Sequence, residues 1–450
     1  KNHAAQNNLL LIASLIFYAW GEPLFVFIMI ACIGANYYFG RLVESKQSSG
    51  DSKLILTLML IFNLGVLGIF KYSGFVISNL NSLFSLNFNV PEIALPIGIS
   101  FFTFQGISYV IDVYRKKAEA FQNPLDVGLY ISFFPQLIAG PIVRYETIAA
   151  ELRERKATED DFAQGIARFI IGIAKKVILA NQFALIADKA YSLPPESISM
   201  TLAWMGAVAY MLQIYFDFSG YSDMAIGLGR LFGFHFPENF NSPYMAKSVS
   251  DFWRRWHISL SSWFKDYVYI PLGGGRVSRI KQIRNLALVW LCTGIWHGAN
   301  WTFIVWGIYF GVLIIVEKFT RLDKYLERSR IIGHVYTIFI VLFGWILFRA
   351  NSISEAFFYI KSMFGMNGSF PVESITALYL NDNLIIYIMG IISCLPIIEK
   401  GRQLYEKIEG DSCFAKGMQL GYVMILAAFF AVSASYLIKG TYNPFIYFNF

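Results

Sequence analysis

Long apolar runs separated by short polar loops dominate the chain, and their lengths predict helices that cross a membrane. A helical span needs about 20 residues. Runs of that order fall at residues 8–20, 24–40, 54–70, 93–113, 127–142, 162–187, 200–216, 284–300, 302–317, 331–348, 383–398 and 418–438. Segments 75–88, 221–234 and 353–364 are shorter and are expected to be interfacial or re-entrant. The pattern predicts about 11–13 transmembrane helices. These runs are mostly too long and continuous for alternating barrel strands. Backbone in lipid must also satisfy its own hydrogen bonds. The expected fold class is therefore all-α integral membrane. Pro96, Gly98, Pro135, Gly140 and Pro141 interrupt two of the spans. Such breaks suit backbone that lines a cavity, and ordinary kinks account for them equally well. The chain starts at Lys1 rather than Met, which leaves open a preceding piece with one more span.

Composition strengthens the membrane reading. Of 450 residues, 56% are hydrophobic and 15% charged, against about 25% charged in a soluble domain. Aromatics make up 17%, with ten Trp, which fits belts at two membrane interfaces. The net charge of +7 does not point to nucleic acid, because Lys and Arg sit in short loops between apolar runs. The most basic loop, 273–285, holds Arg276, Arg279, Lys281 and Arg284 with no acid, and is expected to be cytoplasmic. Residues 41–53, 115–117 and 318–330 repeat the signal more weakly. No long polar linker divides the chain, so residues 1–450 are read as one polytopic domain. Cys32, Cys292, Cys394 and Cys413 show no metal spacing, and no metal is expected; the first three lie in apolar runs and read as core residues.

Five histidines are present. His3 is terminal, and His235 and His334 lie near segment ends, where interfacial or capping roles suffice. His297 differs, because no charge occurs from Asn285 through Gly311. It follows Arg284 by 13 residues, or about 20 Å of helix at 1.5 Å per residue. With Arg284 at the cytoplasmic surface, His297 is expected at or beyond the bilayer midplane. An ionisable group there is costly and reads as functional. Gly294 and Gly298 flank it and leave room for a substrate or another backbone. Imidazole suits general-base work near neutral pH. A structural histidine bonded to a neighbouring helix is the bland alternative.

A second cluster runs from Ser250 to Gly274. Trp253, Trp256, Leu260 and Trp263 fall at helical spacing, with Arg254, His257 and Ser261 down another side of the expected helix. An active-site wall would use His257 to orient the reaction and Arg254 and Arg255 to meet phosphates of a nucleotide-based donor. An interfacial helix with Trp anchors explains the same pattern. Asp217 and Asp223 do not share a helix face well, so interhelical bonding is expected rather than a metal pair. Glu22, Asp112 and Glu317 lie at segment ends and call for no special role. The Gly-rich pieces GLGRLFG and PLGGGR do not sit between strand and helix and are not read as phosphate loops.

The stretches FFPQLIAGPIVR (133–144), QIYFDFSGYSDMAIGLGRLFGF (213–234), NFNSPYMAKSVSDFWRRWHISLSSWFKDYVYIPLGG (239–274) and GIWHGANWTFIVWG (294–307) resemble the membrane-bound O-acyltransferase superfamily. FYAWGEP (17–23), PIGISFFTFQGISYVIDVYR (96–115) and PFIYFNF (444–450) resemble its bacterial alginate O-acetylation branch. The resemblance covers nearly the whole chain. It implies a ring of helices around a central funnel, with a catalytic segment at 235–300. The family's membrane histidine maps to His297 in WHG and its second histidine to His257 in RRWH. Trp253, Trp256, Arg254, Arg255, Ser261, Trp296, Asn300 and Arg276 are the accompanying candidates for holding substrate or donor. The resemblance also implies acetyl-CoA as a cytoplasmic donor, with no bound cofactor. A periplasmic or extracellular partner O-acetyltransferase, a polysaccharide as final acceptor and a bacterial inner-membrane location complete it. His297 is expected to accept the proton of a hydroxyl while His257 positions or polarises one reactant.

Two other readings stay open. A transporter or flippase explains many spans and broken helices, but would be expected to show repeated halves, and no repeat is seen. A non-catalytic subunit of a polysaccharide export complex predicts that both histidines are dispensable.

Overall fold

A computed structural model describes residues 3–48, 50–194, 198–367, 374–397, 401 and 413–440. Every regular element among the described residues is a helix. Six helices are long and apolar enough to cross a membrane: Phe25–Ser45, Ser52–Phe84, Glu159–Tyr191, Trp301–Thr320, Ile331–Arg349 and Phe414–Ile438. The other expected spans are present as helices that are shorter, split or more polar. The 93–113 run is the 16-residue helix Ile99–Tyr114. The 127–142 run splits into Pro124–Ser132 and Phe134–Leu137, because Pro135 cannot supply an N–H to a continuous helix. Two segments expected to be separate are continuations: 75–88 falls largely in Ser52–Phe84, and 221–234 largely in Met200–Leu231. Residue 398 of the 383–398 run, the motif 444–450 and the Cys413 side chain lie outside the described residues. Cys32 and Cys394 are buried, whereas Cys292 is exposed, so the core reading fails for Cys292.

The chain divides into two compact units. The first comprises Lys1–Ile166, Ala225–Pro237 and Ser262–Gly274. Its core is built on Ile99–Tyr114, which is buried along nearly its whole length. Such a helix carries apolar groups all round, and its polar side chains need partners. Ser108 meets the Tyr130 hydroxyl at 2.9 Å, and Asn36 and Asn63 exchange two amide hydrogen bonds at 2.9 and 3.0 Å. Asp112, expected to be unremarkable, is fully buried; it accepts from the Tyr267 hydroxyl at 2.8 Å and from the Glu146 backbone N–H at 3.2 Å. Arg144 pairs with Asp266, and Lys117 with Glu146.

The second unit comprises Ala167–Met224, Glu238–Ser261 and Gly275–Phe450. Glycine sets its helix contacts. A Cβ on Gly172 would lie 2.6 Å from the Gly220 carbonyl oxygen, so the two helix backbones touch there. Such close approach is how small residues hold helices together in lipid. Beside this contact the helix widens into a π turn at Lys175–Ala180. Lys175 reaches Asp223 and Lys176 reaches Asp217, both at 2.6 Å, and Arg168 also pairs with Asp223. The two aspartates thus bond between helices, as expected, and their partners there are cations.

Candidate active site

The site is built on a tight helical hairpin in the second unit. Arg279–His297 is followed by an extended Gly298 and then by Trp301–Thr320. The 284–300 span is therefore not continuous: His297 is the last residue of its helix. Arg284 and His297 do share that helix, so the separation of about 20 Å stands. A Cβ on Gly294 would lie 2.5 Å from the Phe303 carbonyl oxygen, and one on Gly307 would lie 2.5 Å from the Trp290 carbonyl oxygen. The space beside His297 is thus taken by the returning helix. Asn300 caps that helix by accepting from the Thr302 N–H at 3.0 Å, and donates to the Asn351 carbonyl at 3.0 Å.

Aromatic rings enclose His297. Trp296, Trp306 and Phe348 stand edge-on to its imidazole, with centroids 4.9, 4.9 and 5.1 Å away. Trp253, Trp290, Trp345 and Phe310 continue the wall behind Trp306. Trp306, Trp345 and Phe348 were not singled out from sequence. Their apolar context looks like any membrane helix, and only the fold gathers them.

His257 lies in a break, not on a helix. Val249–Arg255 ends at Trp256, and Ile258–Phe264 begins after His257. The helical face expected for Arg254, His257 and Ser261, and for Trp253, Trp256, Leu260 and Trp263, is interrupted there. The cause is a distant segment: the Asn241 N–H bonds to the Arg255 carbonyl at 2.9 Å, and the Ile258 N–H to the Asn239 carbonyl at 3.0 Å. These bonds draw carbonyl and N–H groups out of the helix and leave His257 at φ +45°. Left-handed backbone is uncommon outside glycine and collects at functional sites. The ring packs edge-on to Phe218 at 4.6 Å and lies 6.1 Å from Trp296. Both candidate histidines therefore adjoin one indole. Burial pushes the His257 pKa down to about 3, so its ring is neutral.

Glu317, also expected to need no special reading, fixes this region. Fully buried, it accepts from the Val249 and Ser250 N–H groups at 2.7 and 2.8 Å and caps the helix leading to His257. Among the other candidates, Trp253, Trp256 and Trp296 are buried. Arg255 pairs with Asp251 at 3.0 Å, and the Ser261 hydroxyl donates to the Trp253 carbonyl at 3.3 Å. Arg254 and Arg276 are exposed.

The model of the family described as MBOAT, membrane-bound O-acyltransferase, matches residues 24–354, a span that includes both histidines and the aromatic wall. The chain belongs to the membrane-bound O-acyltransferase family. Curated relatives agree with this membership. The chain is 44% identical over 364 residues to a probable alginate O-acetylase of Azotobacter vinelandii, covering 80% of this chain and 72% of the relative. It is 35% identical to a peptidoglycan O-acetyltransferase of Helicobacter pylori, covering 98% and 91%. A teichoic acid D-alanyltransferase of Bacillus subtilis is 34% identical over 57% of this chain and 69% of its own length. The protein is thus an acyltransferase with several membrane spans.

Proposed function

We propose that this acyltransferase takes acetyl from acetyl-CoA on the cytoplasmic side of a bacterial inner membrane and passes it toward an exported polysaccharide, through a partner O-acetyltransferase outside. The names of the alginate and peptidoglycan relatives support an acetyl group and a glycan acceptor. The observation that carries the reading is the meeting of His257 and His297 on Trp296, inside an aromatic enclosure. Neutral imidazole in a water-poor site is suited to proton transfer. The acceptor hydroxyl oxygen attacks the thioester carbonyl carbon while one imidazole takes its proton. The C–O bond forms, the C–S bond breaks, and the CoA sulfur leaves with that proton as thiol. No covalent acyl-enzyme is required.

Residues 235–300 serve as the catalytic segment within a single working domain, arranged around the funnel that the family resemblance implies. Arg254 and Arg276 are suited to the phosphates of the donor because both are exposed. Trp253, Trp256 and Trp296 offer apolar walls; Arg255, Ser261 and Asn300 shape the backbone around them. The test supplies labelled acetyl-CoA to protein reconstituted in liposomes and measures both free thiol and O-acetyl ester. Acceptor-dependent release of both is expected, and it is lost in His297→Ala and His257→Ala. Movement of label across the membrane without C–S cleavage would instead identify a transporter, and full acetylation by both variants a non-catalytic subunit.

A further inference from the structure

The hydrogen bonds around His257 determine which ring nitrogen carries the proton. Three groups converge on Oδ1 of Asn239: the Ser259 backbone N–H at 3.3 Å, the Ser259 hydroxyl at 2.9 Å and Nδ1 of His257 at 3.1 Å. A backbone N–H can only donate, so the amide atom facing it is the oxygen. The amide nitrogen donates the other way, to the Ser222 hydroxyl at 3.0 Å. An amide oxygen has no hydrogen to give, so the His257 Nδ1 must carry one. A neutral imidazole has one N–H, which leaves Nε2 with a bare lone pair. This Nε2 is buried and has no hydrogen-bond partner among the described residues. A buried acceptor without a donor is costly and needs an explanation, which a donor on a bound reactant would supply.

We infer that Asn239, oriented by Ser222, fixes His257 as a hydrogen-bond acceptor at Nε2, and that His257 therefore receives the acyl acceptor's hydroxyl and not the thioester carbonyl. This rests on the reading that the two histidines form the reaction site. It changes that reading in one respect: the proton of the hydroxyl goes to Nε2 of His257 rather than to His297. A neutral ring in this tautomer has no N–H to polarise a carbonyl. As the hydroxyl oxygen attacks, Nε2 takes its proton and the imidazolium keeps its Nδ1–H on Asn239. When the C–S bond breaks, the proton passes from Nε2 to the thiolate and the ring returns to its starting tautomer. Asn239 and Ser222 are positioning residues, since neither touches the reacting atoms.

The test has a spectroscopic arm and a kinetic arm. Histidine-selective 15N spectra of the full chain in lipid nanodiscs, with the His257 signals identified by their loss in His257→Ala, are expected to show a protonated Nδ1 and an unprotonated Nε2. The opposite tautomer overturns the inference without touching the proposed function. In the kinetic arm, Asn239→Leu is expected to lower turnover about 100-fold or more, by analogy with histidines left in the wrong tautomer. Its KM for acetyl-CoA is expected to stay unchanged. Asn239→Asp keeps the accepting oxygen and is expected to stay within about tenfold of the native rate. His257→Ala is expected to bind acetyl-CoA with native affinity. Normal turnover in Asn239→Leu, or a tenfold loss of acetyl-CoA affinity in His257→Ala, overturns the assignment while His257→Ala remains inactive in transfer. Full transfer by His257→Ala removes the proposed site and this inference together.

Discussion

His235 and His257 show how differently two histidines of one chain can be held. His235 is half exposed and has both ring nitrogens committed, Nδ1 to Glu151 at 3.0 Å and Nε2 to Asp161 at 3.1 Å. Partial burial would favour its neutral form, but the hydrogen bonds and charges of the two carboxylates outweigh that and raise its pKa above the ordinary value. When protonated, it donates from both nitrogens and ties two acids together, with no lone pair to offer. His257 has one nitrogen anchored on an amide, aromatic rings around it and, among the described residues, no partner for the other nitrogen. His334 lies between the two, part-buried with Nδ1 on the Ala246 carbonyl at 2.9 Å. Solvent exposure and charge partners, not sequence position, separate the two kinds.

The sharpest way to test the contrast is at His297. His297→Ala is expected to lower acetyl transfer by about 100-fold or more, within the range for removing a group that stabilises charge developing in the transition state, with the protein still present in the membrane. The assay is polymer O-acetylation normalised to protein abundance. His235→Gln is expected to leave the same assay near native, and an equal loss at both positions would erase the distinction.

A second test concerns charge without chemistry. Asp217→Asn leaves Lys176 buried beside a neutral group and is expected to destabilise the protein by about 3–5 kcal/mol. Thermal unfolding in detergent reads this. A Lys176→Met and Asp217→Leu double variant is expected to recover most of the loss, because the pair then leaves no stranded charge. Smaller still is Gly294→Ala. Its Cβ would press on the Phe303 carbonyl and splay the hairpin, at a cost of about 1–3 kcal/mol, with a parallel fall in transfer as His297 shifts.

The smallest effect returns to His235. A group whose folded pKa is raised adds stability below its unfolded pKa, and that stability fades as pH rises through the folded value. Replacing it with Gln is expected to lower the melting temperature by about 1 °C near pH 5.5 and by nothing measurable near pH 9. A larger loss at the alkaline end would reverse the sign and the assignment.

Much of this was legible in the chain. Apolar run length located nearly every helix, and the uncharged stretch around His297 pointed to the hairpin that holds it. What stayed hidden was made by distant residues. The run from Val249 to Phe264 has the spacing of one helix, and nothing local forecasts the break. It exists because Asn239 and Asn241, well upstream, take backbone partners on either side of His257. Asp112 and Glu317 looked like ordinary end-of-segment acids; their burial depends on Tyr267 and on the N–H groups of Val249 and Ser250. Asn239 itself lay within a recognisable motif, but its importance comes from three donors that meet only in the folded chain.

The left-handed backbone at His257 carries a consequence for its replacement. Glycine would relax that conformation at no steric cost, and His257→Gly trades that relief against the buried ring's packing on Phe218 and its bond to Asn239. The empty pocket left behind should accept free imidazole, whose return of part of the lost rate would show that the scaffold is built to hold a heterocycle at that spot.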